Sequence, residues 1–232
     1  MKKVILLGLI FITSVSVNAQ QLLSPTGSFS KKKTSFVTLN TGVEIKGNLE
    51  DLDYKKGLIK SIAVKDGAGV KHKLKPSSVK FMYLSPSLIA KLDKAADMLT
   101  DSQKWNDEKI DQDLINQGYV YFETTNVKIK KKTRPLLMQL LNPTFSKGVS
   151  VYHNPFAKET ASLGVGGITV AGGNEKSYYV QLENDPAAYL LEKKDYKKQF
   201  VALWKKCPEL AKKSNVNWSD LNKDIIKYAN CK

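Results

Sequence analysis

The chain is poor in the residue types from which metal and redox sites are usually built. Of 232 residues, two are cysteines and two are histidines, and Arg134 is the only arginine among 37 basic residues. Cys207 and Cys231 stand too far apart for a CxxC motif, and neither has sequence neighbours that would complete a metal site. The sequence therefore predicts no metal and no other cofactor.

Long apolar runs are also missing beyond the N-terminus. The chain starts MKKVILLGLIFITSVSVNA, in which two lysines precede an apolar stretch over 4–12 that is too short for a lasting transmembrane helix. Val17 and Ala19 are the small residues that a signal peptidase accepts. We predict a signal peptide over 1–19, cleaved after Ala19, and a periplasmic or secreted mature chain without a transmembrane helix. The alternative is a buried N-terminal strand.

Export would allow the two cysteines to form a disulfide, because cysteines that lie close together in an oxidising compartment normally pair. Steps of three and four residues place five side chains on one helix face: Tyr196, Phe200, Leu203, Trp204 and Cys207. A second helix, capped by Asn217, presents Leu221, Ile225 and Tyr228 inward and brings Cys231 within reach of Cys207. We predict a disulfide between these cysteines that clasps two C-terminal helices.

Residues 35–84 follow a strand pattern of five short segments. SFVTLNTGVEIKG predicts two strands around a turn at 40–42, Gly47 allows the second strand to bend, and VKFMYL ends the series. The stretch resembles an SH3-like or Sm-like barrel, and VTLNTGVEIKGNLEDLD is similar to the start of Sm-like domains. This resemblance implies a small closed barrel. It implies no RNA binding, because the final strands lack the expected Arg-Gly pair.

The remaining chain divides into three parts. Residues 20–34 are polar and predict a flexible segment, residues 85–118 predict a helical linker, and residues 119–232 predict an α+β domain that ends in the clasped helices. Over 128–231, the pieces LLMQLLN, VSVYHNP, SYYVQL, KKDYKKQFVALWKKCPEL and IIKYANC resemble uncharacterised exported proteins of the flavobacterial kind. That resemblance implies export and a disulfide, but no activity. The predicted class is α+β: a small SH3-like β-barrel, a helix, and a β-rich region closed by helices.

A formal charge of +15 raises the question of an anionic partner. Specific nucleic acid is not expected, because sites that read phosphate or guanine favour arginine over lysine. The candidate contacts for an anionic polysaccharide or lipid headgroup are the basic residues of two segments: Lys71, Lys73, Lys75, Lys128, Lys130, Lys131, Lys132 and Arg134. Lysines at such places can instead keep a protein soluble or protect sheet edges. Both the binding role and this structural role stay open.

The two histidines carry the competing hypothesis of an enzyme. His72 lies between Val70 and Leu74 on the apolar face of a strand, where a hydrogen-bonded histidine of the core or its rim is expected. His153 ends a strand beside a turn, where catalytic residues are sometimes placed. We expect an exported, non-enzymatic envelope or secreted protein that binds a protein partner or an anionic polymer. The alternative is a hydrolase that uses His153 or His72 with a carboxylate.

Overall fold

The structure is a computed structural model that describes residues 22–88, 109–157, 164–165, 168–169 and 175–231. The signal peptide predicted over 1–19 lies outside these residues, as does most of the helix predicted over 85–118. Among the described helices, none is both long and apolar enough to cross a membrane.

Seven strands form one antiparallel sheet in the first two thirds of the chain. They are β1 (Thr34–Leu39), β2 (Glu44–Lys55), β3 (Leu58–Asp66), β4 (Lys71–Leu74), β5 (Val79–Leu84), β6 (Val120–Ile129) and β7 (Lys132–Gln139). Their order across the sheet is β4-β3-β2-β1-β5-β6-β7. A short 3-10 turn, Pro76–Ser78, separates β4 from β5.

A smaller antiparallel sheet and short helices complete the described chain. The sheet contains β8 (Val149–His153), β11 (Ser177–Leu182) and β12 (Tyr189–Glu192) in the order β12-β11-β8, while β9 (Gly164–Val165) pairs with β10 (Ile168–Thr169). The helices are α1 (Gln112–Asn116), α2 (Lys193–Leu203), α3 (Pro208–Ala211) and α4 (Leu221–Asn230), with a 3-10 turn at Trp218–Asp220. The protein is thus a mixed α and β structure with two main sheets.

The closed barrel expected over 35–84 is not what the strands form. All five predicted strands are present, but β6 pairs with the free edge of β5 and β7 pairs with β6, so the sheet continues and stays open. The sheet nevertheless curls. Leu137 of β7 shares a buried cluster with Ile62 of β3 and Val37 of β1, although β3 and β7 lie far apart in the strand order. Alternating apolar residues therefore enclose a core without closing a ring.

Gly47 occupies the position in β2 where the sequence predicts a bend. It faces Asp66 of β3, and a Cβ atom at this position would overlap the backbone of Lys65. The strand ladder shifts register just beyond it, between Leu49 and Asp51. A residue without a side chain is therefore required where the two strands approach closely.

Residues 22–30, here called the strap, lie across both sheets. Leu22 packs in the core of the smaller sheet, and Leu23 donates its N–H to the Leu141 carbonyl (2.7 Å). At the other end, Phe29 packs edge-to-face on Phe122 of the large sheet. The segment over 20–34 that the sequence predicts to be flexible thus includes apolar residues that pack on both sheets.

The C-terminal helices are clasped as the sequence predicts. Cys207 and Cys231 form a disulfide with their Cα atoms 5.4 Å apart. The predicted faces are confirmed: the five residues from Tyr196 to Cys207 are buried, and so are Leu221 and Ile225. The predicted cap is wrong in detail, because the Asn217 side chain makes no capping bond and instead donates to Asn215 Oδ1 (3.1 Å).

Candidate ligand-binding site

A cavity of about 310 Å³ lies beside strand β7, between the two sheets. It is lined by residues 25–27, Tyr54, residues 57–59, Phe122, residues 137–139, His153 and Pro155. We call it the strap cavity, because residues 25–27 of the strap form one wall. Its volume lies at the lower end of the range for small-molecule pockets, and its lining is mostly apolar.

The cavity occurs where the curled sheet fails to close. Leu140 donates its N–H to the Tyr121 carbonyl of β6 (3.0 Å), so the alternating residues Leu137 and Gln139 turn their backbone groups away from β6. On the opposite side, β4 is too short to cover the start of β3, and Leu58 and Ile59 are left to face the gap. Two partly unpaired strand edges therefore border the cavity.

Part of the cavity lining is formed where two turns approach each other closely. Gly57 joins β2 to β3 with a positive φ of 76°, and a Cβ atom there would come within 2.7 Å of the Pro155 Cβ. Only glycine fits both the backbone conformation and the space. Tyr54 lies beside it, and burial raises the pKa of Tyr54 to about 12.

Two residues of the lining each have a solvent-inaccessible polar side-chain atom without a hydrogen-bond partner among the described residues. The two atoms are Thr26 Oγ1 and Gln139 Nε2, and their residues are only 6% and 4% exposed. Thr26 and Gln139 are nevertheless bonded to each other through different atoms, since the Thr26 N–H donates to Gln139 Oε1 (3.1 Å). A buried donor or acceptor that is left without a partner costs about 1–3 kcal/mol, so these two atoms lower the stability of the fold beside the cavity.

His153 lines the same cavity and has a carboxylate beside it. Its Nδ1 lies 3.3 Å from a carboxylate oxygen of Glu175. The backbone of Glu175 is held on both sides, because its N–H donates to the Tyr178 hydroxyl (2.7 Å) and its carbonyl accepts from Trp218 Nε1 (2.8 Å). This is the arrangement of a histidine oriented by an acid, as the enzyme hypothesis requires.

Among the described residues, the His153–Glu175 pair has no nucleophile in contact with the histidine. Thr26 Oγ1 is the hydroxyl of a residue that lines the cavity, and it makes no hydrogen bond to His153 or to any other described group. The other histidine, His72, lies outside the cavity, where its Nε2 is 2.7 Å from Asp66 Oδ2. His72 is thus the hydrogen-bonded rim residue that the sequence predicts.

A second, larger cavity of about 540 Å³ is polar, and several of its groups bond to one another. The Tyr152 hydroxyl donates to Glu123 Oε1 (2.7 Å), and the Thr125 hydroxyl donates to Gln181 Oε1 (2.7 Å). Burial, followed by the charge of Glu123, raises the pKa of Tyr152 far above its usual range. Because these groups bind one another, this cavity is a weaker candidate than the strap cavity.

The predicted lysine contacts lie at opposite edges of the large sheet. Lys71, Lys73 and Lys75 lie on or just after edge strand β4, and Lys71 pairs with Glu50. Lys128, Lys130, Lys131, Lys132 and Arg134 lie on the β6–β7 hairpin at the other edge, and all five are exposed. The two groups therefore do not share a strand or a hairpin.

Comparison with protein-family models, with curated proteins and with solved structures gives no match to this chain. The site consequently has to be argued from its own geometry. Sequence reasoning missed Thr26 and Gln139, because a polar residue in a segment or strand gives no sign that its partner will be missing. It did select His153, from its place at a strand end.

Proposed function

We propose that this chain is an exported, non-enzymatic binding protein that takes a small ligand in the strap cavity. One observation carries the proposal: a largely apolar cavity of about 310 Å³ lies between the two sheets, and its lining includes the polar residues Thr26, Gln139 and His153. Such a combination of apolar walls and a few converging polar groups is typical of ligand sites. The disulfide of the C-terminal helices supports export, because such bonds persist in oxidising compartments.

The hydrolase alternative has the weaker support. The His153–Glu175 pair supplies an oriented base, but a hydrolase of this kind also needs a nucleophile within hydrogen-bond reach of the histidine. Thr26 Oγ1 does not make that bond. A binding role requires only the cavity and its lining residues.

We further propose that strands β1 to β5 are an SH3-like unit that has been extended by β6 and β7. The strand order β4-β3-β2-β1-β5 and the 3-10 turn before β5 support this relationship. The proposal concerns architecture alone, since function resides in the site and not in the fold.

Binding in the strap cavity is tested with a neutral apolar dye, N-phenylnaphthylamine, whose fluorescence rises in an apolar environment. We expect saturable binding to the wild-type protein and its loss in Ile59→Trp, because the larger ring fills the space beside β7. Val43→Trp is the matched control, since Val43 is exposed on the β1–β2 hairpin and should leave binding unchanged.

NMR shift mapping on the wild-type protein makes this test independent of whether Ile59→Trp folds. We expect the shifts caused by the dye to cluster on residues 25–27 and 137–139. Absence of saturable binding, or shifts that map to another surface, would contradict the proposal.

A second candidate function, binding of an anionic polymer, is favoured by the β6–β7 hairpin. Its five basic residues are exposed, and none makes an ion pair with a described residue. We expect the quadruple variant Lys128→Gln, Lys130→Gln, Lys131→Gln, Lys132→Gln to elute from immobilised heparin at lower salt than the wild type. Each phosphate- or sulfate-contacting charge steepens the dependence of affinity on salt.

The control removes the same charge from another exposed place, with glutamine at Lys197, Lys198, Lys205 and Lys206. If both quadruple variants elute at the same salt concentration, retention on the heparin column depends only on net charge. The hairpin would then protect the sheet edge and would not be a binding surface.

A further inference from the structure

We propose that the chain has a second binding site, for a neutral carbohydrate, on the large sheet outside the strap cavity. The site is a groove of about 410 Å³ over strands β1, β2 and β5, which we call the Thr38 groove. It shares no lining residue with the strap cavity. The inference is therefore independent of the ligand proposed for that cavity.

Strand alternation places a short side chain between two aromatic ones at the base of the groove. Val37 of β1 and Met82 of β5 are fully buried in the core of the large sheet. Their neighbours Phe36, Thr38 and Phe81 consequently point to the opposite face. Thr38 lies directly opposite Phe81 in the β1–β5 ladder and two residues after Phe36. Because threonine is much smaller than phenylalanine, a depression remains above it.

A second wall of the groove comes from the segment that leads into α1. Ile110, Asp111 and Leu114 line this wall. The Asp111 N–H donates to the Tyr83 hydroxyl (2.8 Å), and the Asp111 carboxylate accepts from the Leu114 N–H (3.1 Å). These bonds hold the segment against the sheet, so the groove has its shape before a ligand arrives. Such preorganisation lowers the cost of binding.

The aromatic side chains of the groove suit the apolar side of a sugar ring. Phe36 and Phe81 are half-buried residues of the lining. The Lys46 ammonium, also part of the lining, lies over the Phe36 ring at 5.8 Å from its centroid, so one face of this ring is directed to the groove. The face of an aromatic ring carries partial negative charge. The C–H groups on one side of a pyranose carry partial positive charge and pack on such a face.

The charges of the groove balance, which favours a ligand without net charge. The lining holds two carboxylates and two ammonium groups, from Glu44, Asp111, Lys46 and Lys109. The chain as a whole, by contrast, has a formal charge of +15. Glu44 and Lys46 already form an ion pair at 3.0 Å. A charged ligand of either sign would lie beside two like charges, which lowers affinity.

Hydroxyl groups match these charged side chains, because a hydroxyl both donates and accepts. It donates to a carboxylate and accepts from an ammonium group. Hydrogen bonds to ionised groups are also the stronger kind. A pyranose carries hydroxyls around its rim and C–H groups on its faces, so it is the neutral ligand class that uses both the charged rim and the aromatic walls.

NMR titration of the isotope-labelled protein at neutral pH, with four tetrasaccharides, tests the proposal. Cellotetraose, chitotetraose and laminaritetraose are neutral, and tetragalacturonate is anionic. We expect at least one neutral tetrasaccharide to cause saturable shifts at residues 36, 38 and 81. Tetragalacturonate should cause none there, and any shifts that it causes should be confined to the basic hairpin over 128–134.

The variant Thr38→Phe fills the depression at the base of the groove. We expect it to remove the saturable shifts but to fold normally, because phenylalanine suits a half-buried strand position. Thr34→Phe is the matched control: it makes the same substitution on the same face of β1, but Thr34 does not line the groove. It should bind the sugar as the wild type does.

The variant Phe81→Leu keeps an apolar side chain but removes an aromatic wall. We expect it to lower the affinity for the sugar about fivefold, the size of effect that one aromatic contact carries. Phe156→Leu is the control, because Phe156 is an exposed aromatic residue outside the groove. It should leave the affinity unchanged.

The outcomes separate this site from the strap cavity. The carbohydrate site is overturned if no neutral tetrasaccharide causes saturable shifts at the groove, or if tetragalacturonate binds there equally well. Unchanged affinity in a folded Thr38→Phe variant, or in Phe81→Leu, would contradict it as well. Ile59→Trp, which fills the strap cavity, should bind the sugar like the wild type, so either site can fail without the other.

Discussion

Replacing Lys213 with methionine is expected to lower the free energy of unfolding by about 3 kcal/mol. The Lys213 ammonium donates to both carboxylate oxygens of Asp224, at 2.8 and 3.0 Å, and to Asp220 at 3.2 Å. The Asp224 side chain is only 4% exposed, so the variant leaves a buried carboxylate without its cation. The effect lies at the lower end for a buried ion pair, because a quarter of the Lys213 side chain is exposed.

The pH dependence of this effect has a definite sign. Burial by itself lowers the pKa of Lys213, but the hydrogen bonds to Asp224 and Asp220 outweigh it and raise the pKa above 10.5. A group whose pKa is raised in the folded state contributes its stability below its ordinary pKa and loses it as the pH rises through the folded value. The difference between wild type and variant should therefore stay constant near neutral pH and shrink as the pH rises above 10.5.

Urea unfolding, followed by tryptophan fluorescence, measures the effect of Lys213→Met. Lys212→Met is the control, because Lys212 is exposed and should change stability by less than about 0.5 kcal/mol. Adding Asp224→Asn to Lys213→Met should recover part of the loss, since asparagine is neutral and still accepts the Tyr196 hydroxyl (2.7 Å). Equal stability of Lys213→Met and Lys212→Met would contradict the buried ion pair.

Loss of the disulfide is expected to lower the free energy of unfolding by about 3.5 kcal/mol. Cys207 and Cys231 are 24 residues apart, and a cross-link over such a loop restricts the unfolded chain by about this amount. Cys207 is fully buried beside Trp204, so the double variant Cys207→Ala, Cys231→Ala also loses some packing. The helices α3 and α4 should loosen first, because the bond joins their ends.

Reduction offers a second measurement that does not depend on the substitution. In urea unfolding with dithiothreitol, the wild-type midpoint should fall to nearly that of the double-alanine variant, while the variant's midpoint should not move. Two alkylatable thiols in the folded, non-reduced wild-type protein would refute the bond itself. That result would also remove the support that the disulfide gives to the proposal of export.

Much of the local structure was predictable from particular residues. Period-two alternation predicts β1 to β5, because one side of each strand packs on a core. The spacing of Tyr196, Phe200 and Trp204 predicted the buried face of α2 for the same reason. The apolar run PLLMQLLN over 135–142 suits a buried helix as well as a strand, so its pattern alone does not decide the element. Pairing with β6 resolves it in favour of β7.

The candidate site could be predicted only in part. The position of His153 at a strand end was visible, but its acid partner, Glu175, lies 22 residues further along the chain. Thr26 and Gln139 are 113 residues apart, and nothing local to either one shows that they meet. A missing hydrogen bond is a property of the whole environment of an atom, so a pattern along the chain does not reveal it.

The amino-acid order alone was enough for the strands, for the faces of the helices and for the pairing of the two cysteines, because neighbouring side chains set the periodicity and the turns. The open edge of β7, the close approach of Gly57 to Pro155 and the strap cavity depend on how distant segments pack. The choice between a closed barrel and an open sheet was of the same kind. It depended on whether β6 would take the free edge of β5, and only long-range pairing settles which edges meet.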